Sequence, residues 1–294
     1  MLSILVPVYN FNITDFVSEL NQQASSCNID FEILVYDDCS SSTYREENKI
    51  ISDISSVNYL ELSDNLGRSK IRNLLAENAQ YDYLLFVDCD SEITSPDYIQ
   101  NFTENLKPNL VLYGGRSYDQ TAPKNPKKHL RWYYGIEREQ HSLEERKKYP
   151  YRTFMTNNFV IPKTIYTAVK CNETLSGYGH EDTLFAQELK QKNIAIIHIE
   201  NHLSHIGLED AYEFLLKTKN GVKNLAYLIK NKLIDEENRL YSSYNLLQKL
   251  GIIFVLKLFA NTLENWCFQK LIQPKPKLYW FDLYKLVLLI QELN

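Results

Sequence analysis

The chain has 294 residues, enough for one large domain or two small ones around a substantial core. Its 37 acidic and 32 basic side chains leave a formal net charge of −5, which argues against nucleic acid as a partner. Five scattered cysteines with no C-x-x-C pair point to a reducing, cytoplasmic setting and argue against a structural zinc. Met1 to Pro7 lacks the basic and long apolar regions of a leader, so no signal peptide is expected. No apolar run approaches the roughly 18 residues that a membrane-crossing helix needs.

Leu2 to Val8 is a short apolar run and reads as a strand buried on both faces. It turns through Pro7-Val8-Tyr9-Asn10 into a loop. Thr14 or Asp15 then caps a helix reaching to about Ser25, with Phe16, Val17 and Leu20 on one side. Phe31 to Tyr36 is a second strand, ending in the polar cluster Asp37-Asp38-Cys39-Ser40. Val57 to Leu62 is a third, ending at Asn65-Leu66-Gly67-Arg68 and followed by a helix from Ser69 to Asn78. A fourth apolar run starts at Tyr83 and enters Asp88-Cys89-Asp90. Strands alternating with helices predict an α/β domain with a mostly parallel, doubly wound sheet flanked by helices. Ligands collect at the carboxyl ends of such strands. Two carboxylates at i and i+2 on a strand lip suit a hard divalent cation that completes its shell with water and phosphate oxygens.

Leu110 to Tyr113 is a further strand, running into Gly114-Gly115-Arg116. Residues 119–150 are dense in charges of both signs and read as a solvated helix with i,i+4 pairs. In Leu175-Ser176-Gly177-Tyr178-Gly179-His180-Glu181-Asp182-Thr183, two glycines flank an aromatic ring, and two carboxylates open a helix running to about Lys192. Ile194 to Ile199 is a strand followed by His202 and His205, and a neutral imidazole is a good Mn(II) ligand beside carboxylates. From Ala211 onward helical periodicity takes over, broken at Pro274 and Pro276. This tail is expected to be a C-terminal helical appendage that packs on the sheet, forms a homodimer, or lies on a membrane surface with its lysines at the headgroups.

Taken in order, Pro7-Val8-Tyr9-Asn10, Asp37-Asp38-Cys39-Ser40, Asn65-Leu66-Gly67-Arg68 with Ile71-Arg72-Asn73, and Asp88-Cys89-Asp90 resemble the nucleotide-sugar half of family 2 glycosyltransferases, which have the GT-A fold. Cys39 stands where that family usually has Gly, and Ile71 where it usually has Ala. The stretch around Tyr178 resembles the G-W-G-x-E-D segment of galactosyltransferase-like and chondroitin-polymerase-like enzymes, with Tyr178 in the Trp position. The resemblance implies a transferase domain over residues 1–210 (donor half 1–115, acceptor half 116–210) and the helical region over 211–294.

It also implies roles. Pro7, Val8 and Tyr9 flank the base, and Asp38 accepts its N–H, which favours a uracil or thymine ring. Asn65 and Gly67 belong to the donor loop, where Gly67 permits close approach. Arg72 reaches phosphate or braces the acidic pair. Asp88 contacts ribose or metal-bound water, and Asp90 ligates Mn2+ or Mg2+ directly, with His205, in preference to His202, as a third ligand. Asn158, or its neighbour Asn157, bonds a donor-sugar hydroxyl. Asp182 is the general base, with Glu181 as second choice or acceptor ligand. The implied activity is an inverting, metal-dependent transfer from a UDP-sugar, or another nucleotide diphosphate sugar, to a hydroxyl of a glycan or lipid-linked glycan. The rival reading is a catalytically lapsed nucleotide-sugar-binding subunit of a glycan-assembly complex.

Overall fold

The computed structural model describes residues 1–175 and 177–293. Seven strands form the main sheet: β1 (Leu2–Val8), β2 (Phe31–Asp37), β3 (Val57–Glu61), β4 (Tyr83–Val87), β6 (Leu110–Tyr113), β8 (Asn158–Pro162) and β9 (Ala195–His198). A small second sheet holds β5 (Ser91–Ile93), β7 (Arg116–Ser117) and β10 (Leu203–His205). The main sheet runs in the order β3-β2-β1-β4-β8-β6-β9. Its pairs are parallel except those of β8, which is antiparallel to both β4 and β6.

Side chains alternate across β1. Leu2, Ile4, Val6 and Val8 face an apolar core shared with the helix Thr14–Ser26, while Leu5 faces a second core with the helices Arg68–Asn78 and Glu181–Gln191. Both faces are therefore covered, as a mostly parallel sheet requires. Register sets Val8 opposite Asp37 and Asp37 opposite Glu61, so the polar loops after β1, β2 and β3 emerge side by side.

The fourth apolar run ends as a strand at Val87, and Asp88 to Asp90 form the turn into β5. The second sheet decides what faces that turn. β10 pairs antiparallel with β5, His205 opposite Ser91, and the Ile206 N–H donates to the Asp90 carbonyl at 3.0 Å. This brings a histidine more than a hundred residues away to the Asp90 carboxylate.

Residues 119–150 are not the solvated helix expected. They form short pieces, Pro126–Lys128, His129–Tyr134, Gly135–Glu139 and Leu143–Lys148, and bury Arg131 and Arg146. The helices beyond Ala211 build a third core from Phe214, Leu225, Phe281 and Leu289, shared with Leu130. The long helix Ala211–Lys230 also supports the glycine stretch. The Cα of Gly221 would sit 3.0 Å from any Cβ at Gly179, whose φ is +98°, and the Asn224 amide donates to the Gly179 carbonyl at 3.0 Å. A side chain at Gly179 would be strained twice, by backbone conformation and by contact.

Candidate active site

One cleft of ≈ 970 Å³ opens at the carboxyl ends of the central strands. Asp88, Asp90 and His205 line it from one side, and Tyr178, Glu181 and Asp182 line it from another. Residues of the long C-terminal helix, among them Phe214, Thr218 and Val222, complete its wall.

Four arginines converge here with carboxylates between them. Arg72 donates to Asp88 at 2.6 Å. Arg116 lies 3.8 Å from Asp88, 3.7 Å from Asp90 and 3.5 Å from Glu139. Arg68 sits 3.4 Å from Glu181 and 4.2 Å above the Tyr178 ring. Arg131 joins Glu139 at 3.1 Å to Glu209 at 3.2 Å. Arg68 is exposed, but Arg72, Arg116 and Arg131 are not, and burying cations costs free energy unless counter-charges such as these accompany them. Burial by itself would raise the Glu139 pKa, yet Arg131 and Arg116 hold it down to about 2. The Tyr118 hydroxyl adds a hydrogen bond to the same carboxylate. We expect Glu139→Gln to destabilise the fold by about 3 kcal/mol, because it leaves two buried guanidiniums short of an anion. Urea unfolding reads this directly, and an unchanged midpoint would show that Glu139 is dispensable.

Asp90 and His205 form the second cluster. His205 Nδ1 lies 3.4 Å from Asp90 Oδ1 and 3.2 Å from Arg116 Nη2. Asp90 Oδ1 and His205 Nε2 are buried without a hydrogen-bond partner among the described residues. Burial opposes ionisation of Asp90, but His205 and Arg116 outweigh it and keep the carboxylate well below its ordinary range. Gly207 permits this closeness, since a Cβ there would lie 2.6 Å from the Asp90 Cβ. Among the described residues, no three His, Cys, Asp or Glu side chains converge as a ready ligand set. Asp88 is turned toward Arg72 instead.

Asp182 is the exception to the pairing. Burial raises its pKa, and the neighbouring Glu181 charge raises it further, to about 7. Only the Thr183 N–H, 2.7 Å from Oδ1, opposes this appreciably from close range. Glu181 behaves oppositely: burial would raise it, but Arg68 and Arg72 hold it low. Two adjacent carboxylates in different environments thus take different protonation states near neutrality, the arrangement that separates a proton acceptor from a fixed charge.

The donor-side residues fall in two groups. Arg72 and Asp88 line the cleft. Pro7, Val8, Tyr9, Asn65 and Gly67 do not line it: Val8 is buried in the core, Tyr9 is exposed, and the Asn65 amide donates to the Asp38 carbonyl. Asp38 departs from the base-reading role. Its two oxygens accept the N–H groups of Leu66 at 2.6 Å and Gly67 at 2.9 Å, so it is buried as the brace of that loop. Asn158 departs as well. It is fully buried, receives the Tyr98 hydroxyl at 2.7 Å, and donates to the Gly115 and Asn201 carbonyls at 2.9 Å. Strand alternation turns its neighbour Asn157 to the cleft instead, with Nδ2 left without a partner. His202 is half-buried beside Glu200, 3.1 Å away, and does not line the cleft. Sequence reading missed Arg116, Arg131 and Glu139. The Gly114-Gly115-Arg116 end of a strand was the one local signal available.

The chain has measurable relatives. It is 31% identical over 113 residues to an uncharacterized glycosyltransferase of Haemophilus influenzae, covering 37% of this chain and 35% of that protein. It is 29% identical over 128 residues to the chondroitin synthase of Escherichia coli, covering 41% of this chain and 18% of that one. The chain thus spans only a minor part of either relative's length. Among solved structures, the mannosyltransferase PcManGT of Pyrobaculum calidifontis, in complex with GDP-Man and Mn2+, superposes with a TM-score of 0.53 at 13% identity, over 78% of this chain and 64% of that one. The S. aureus TarS 1–349 complex with UDP-GlcNAc superposes with a TM-score of 0.51 at 16% identity, over 97% and 90%. These likenesses establish the GT-A-like fold. Residues 3–166, more than half of the chain, match the family described as "Glycosyl transferase family 2", and the chain belongs to that family.

Proposed function

We propose that the protein is an inverting glycosyltransferase that moves a sugar from a nucleotide diphosphate donor, UDP-linked in our reading, to a hydroxyl of a glycan or lipid-linked glycan. The observation that carries this reading is the single cleft. A carboxylate with a raised pKa faces the same space as a cluster of arginines and an Asp–His pair. The solved relatives with GDP-Man or UDP-GlcNAc bound support a nucleotide-sugar donor.

The reaction is a single displacement. The acceptor oxygen attacks the anomeric carbon while Asp182 takes its proton. The bond from that carbon to the diphosphate oxygen breaks, and the nucleoside diphosphate leaves with the electron pair. Arg72 and Arg116 stand where charge develops on it, already oriented by Asp88, Asp90 and Glu139. Tyr178, held flat under Arg68, offers a ring face to the acceptor sugar. Asn157 offers its unpartnered amide to a hydroxyl.

The donor set at Asp90 and His205 suits Mn2+ or Mg2+, because a carboxylate and an imidazole lie 3.4 Å apart there and Asp90 Oδ1 and His205 Nε2 have no hydrogen bond among the described residues, and the Mn2+ in the PcManGT complex supports such use. A divalent ion there would supply Lewis-acid charge to the departing diphosphate. Asp88 would contribute through water or the ribose, since Arg72 holds it. The five free thiols support a reducing, cytoplasmic location.

Transfer should depend on pH through Asp182. A base works only when ionised, so kcat should rise with pH and level off above about 7, and fall tenfold per pH unit well below it. A flat kcat profile between pH 5 and 8 would remove the base assignment. Incubation with UDP-sugars and Mn2+, watching for UDP release, separates an enzyme from a lapsed binding subunit.

A further inference from the structure

The helices Arg239–Lys249 and Ile252–Leu258 carry an apolar surface that no described residue covers. Leu246, Leu250, Phe254, Val255, Leu258 and Phe259 are each between 54% and 71% exposed. Ile253 is the only side chain of the second helix that is fully buried. Single exposed apolar residues are ordinary, but six within 14 residues make a patch of the kind that marks an interaction surface.

Charge selects the occupant. The chain is acidic overall, yet it has no Asp or Glu between Glu237 and Glu264. Lys249 and Lys257 are exposed within the patch, and neither has an acidic partner among the described residues. In a two-fold dimer the patch would meet its own copy, setting lysines against lysines with no anion to answer them. An anionic headgroup layer answers both needs, receiving the apolar side chains below and the ammonium groups at its surface.

We infer that this surface docks the protein onto an anionic bilayer, with Phe254, Leu258 and Phe259 inserted and Lys249 and Lys257 at the phosphates. The contact is peripheral, since no helix among the described residues is long and apolar enough to cross a membrane. Its position also bears on the acceptor. Arg239, Leu240 and Ser243, at the start of the first helix, line the cleft, and its last turn enters the patch. The helix has 11 residues and is about 16 Å long, so cleft mouth and patch are no further apart than that along it. That favours an acceptor carried on a lipid, a consequence that rests on the transferase reading above, whereas the docking itself does not.

Vesicle flotation of the full chain tests this. Phosphatidylcholine vesicles with and without phosphatidylglycerol are compared. The protein should float with the anionic vesicles and only weakly with the neutral ones. Phe254→Ser combined with Leu258→Ser should weaken partitioning at least ~10-fold, and Lys249→Gln with Lys257→Gln should remove the preference for anionic lipid. All four side chains are exposed, and unchanged UDP-induced thermal shifts would show that fold and donor site are intact. Wild-type protein that stays unbound, or a Phe254/Leu258 variant that floats like wild type, overturns the inference. So does a wild-type dimer in light scattering that the same variant dissociates, since the patch would then belong to a second copy. Loss of UDP binding in wild type would sink the transferase reading and leave the docking result standing.

Discussion

Asp182→Asn should lower kcat by ~10²–10⁴-fold, the range a positioned proton acceptor contributes. Donor affinity should hardly change. Asp182 sits on the first turn of the helix opposite the arginine cluster, and its nearest polar contact is its neighbour Thr183 rather than any donor-side residue. A loss of UDP-sugar affinity equal to the loss of turnover would move Asp182 from proton transfer to donor binding. The stability effect has the opposite sign. The folded-state pKa lies above that of the unfolded chain, so the fold holds a proton in the window up to about 7 that the unfolded chain has released. The stability that this protonation provides is lost as pH rises through the folded pKa. Asn cannot ionise, so the variant should melt at least as high as wild type at pH 8 and gain relative to it on going from pH 5 to 8. Lost turnover with retained or improved stability is the pattern of a catalytic carboxylate placed where packing alone would prefer a neutral group. Glu181→Gln is the internal contrast. It removes the partner of Arg68, so it should cost stability.

How far the residues could be read in advance follows from the range of their interactions. The strands Phe31–Asp37, Val57–Glu61 and Tyr83–Val87 were legible, because a short apolar run entering a polar loop is a local pattern. So was the helix opening at Glu181, with its glycine lead-in. That β8 runs antiparallel was not legible, because direction depends on which neighbour it meets. The charges of residues 119–150 have the spacing of a solvated helix. Nothing local says that Glu139 and Arg131 turn inward to neutralise Arg116, which arrives from another strand. Asp38 and Asn158 carry side chains that suit ligands equally well as loops, and here their partners are backbone groups far away in sequence. His205 was preferred to His202 in the sequence, but what sets it against Asp90 is the pairing of β10 with β5, which no local pattern shows.

Asp90→Asn is expected to lower Mn2+ affinity by at least ~100-fold and to abolish metal-stimulated transfer. The argument begins with what the carboxylate faces. Among the described residues it is the acid paired with His205, 3.4 Å from Nδ1, and its Oδ1 and the His205 Nε2 are both buried without a hydrogen bond. Desolvated oxygen and nitrogen atoms without a hydrogen bond cost stability unless something answers them. Arg116 Nη2 supplies part of the counter-charge, 3.7 Å from Asp90 Oδ1 and 3.2 Å from His205 Nδ1, but His205 Nε2 keeps no hydrogen bond among the described residues. The variant keeps the shape of the side chain and removes one charge. Arg116 retains Asp88 and Glu139, so the fold should survive and the measurement stays interpretable. Electron paramagnetic resonance of free Mn2+ reads the affinity without turnover, and UDP binding with and without Mn2+ reads the coupling. Wild-type Mn2+ affinity in Asp90→Asn would place the ion elsewhere. Unaltered transfer in the variant, with or without metal, would mean that the arginines alone carry the diphosphate. The two outcomes divide the cleft differently: in the first Asp90 orders Arg116, in the second the Asp–His pair is a packing contact between two sheets.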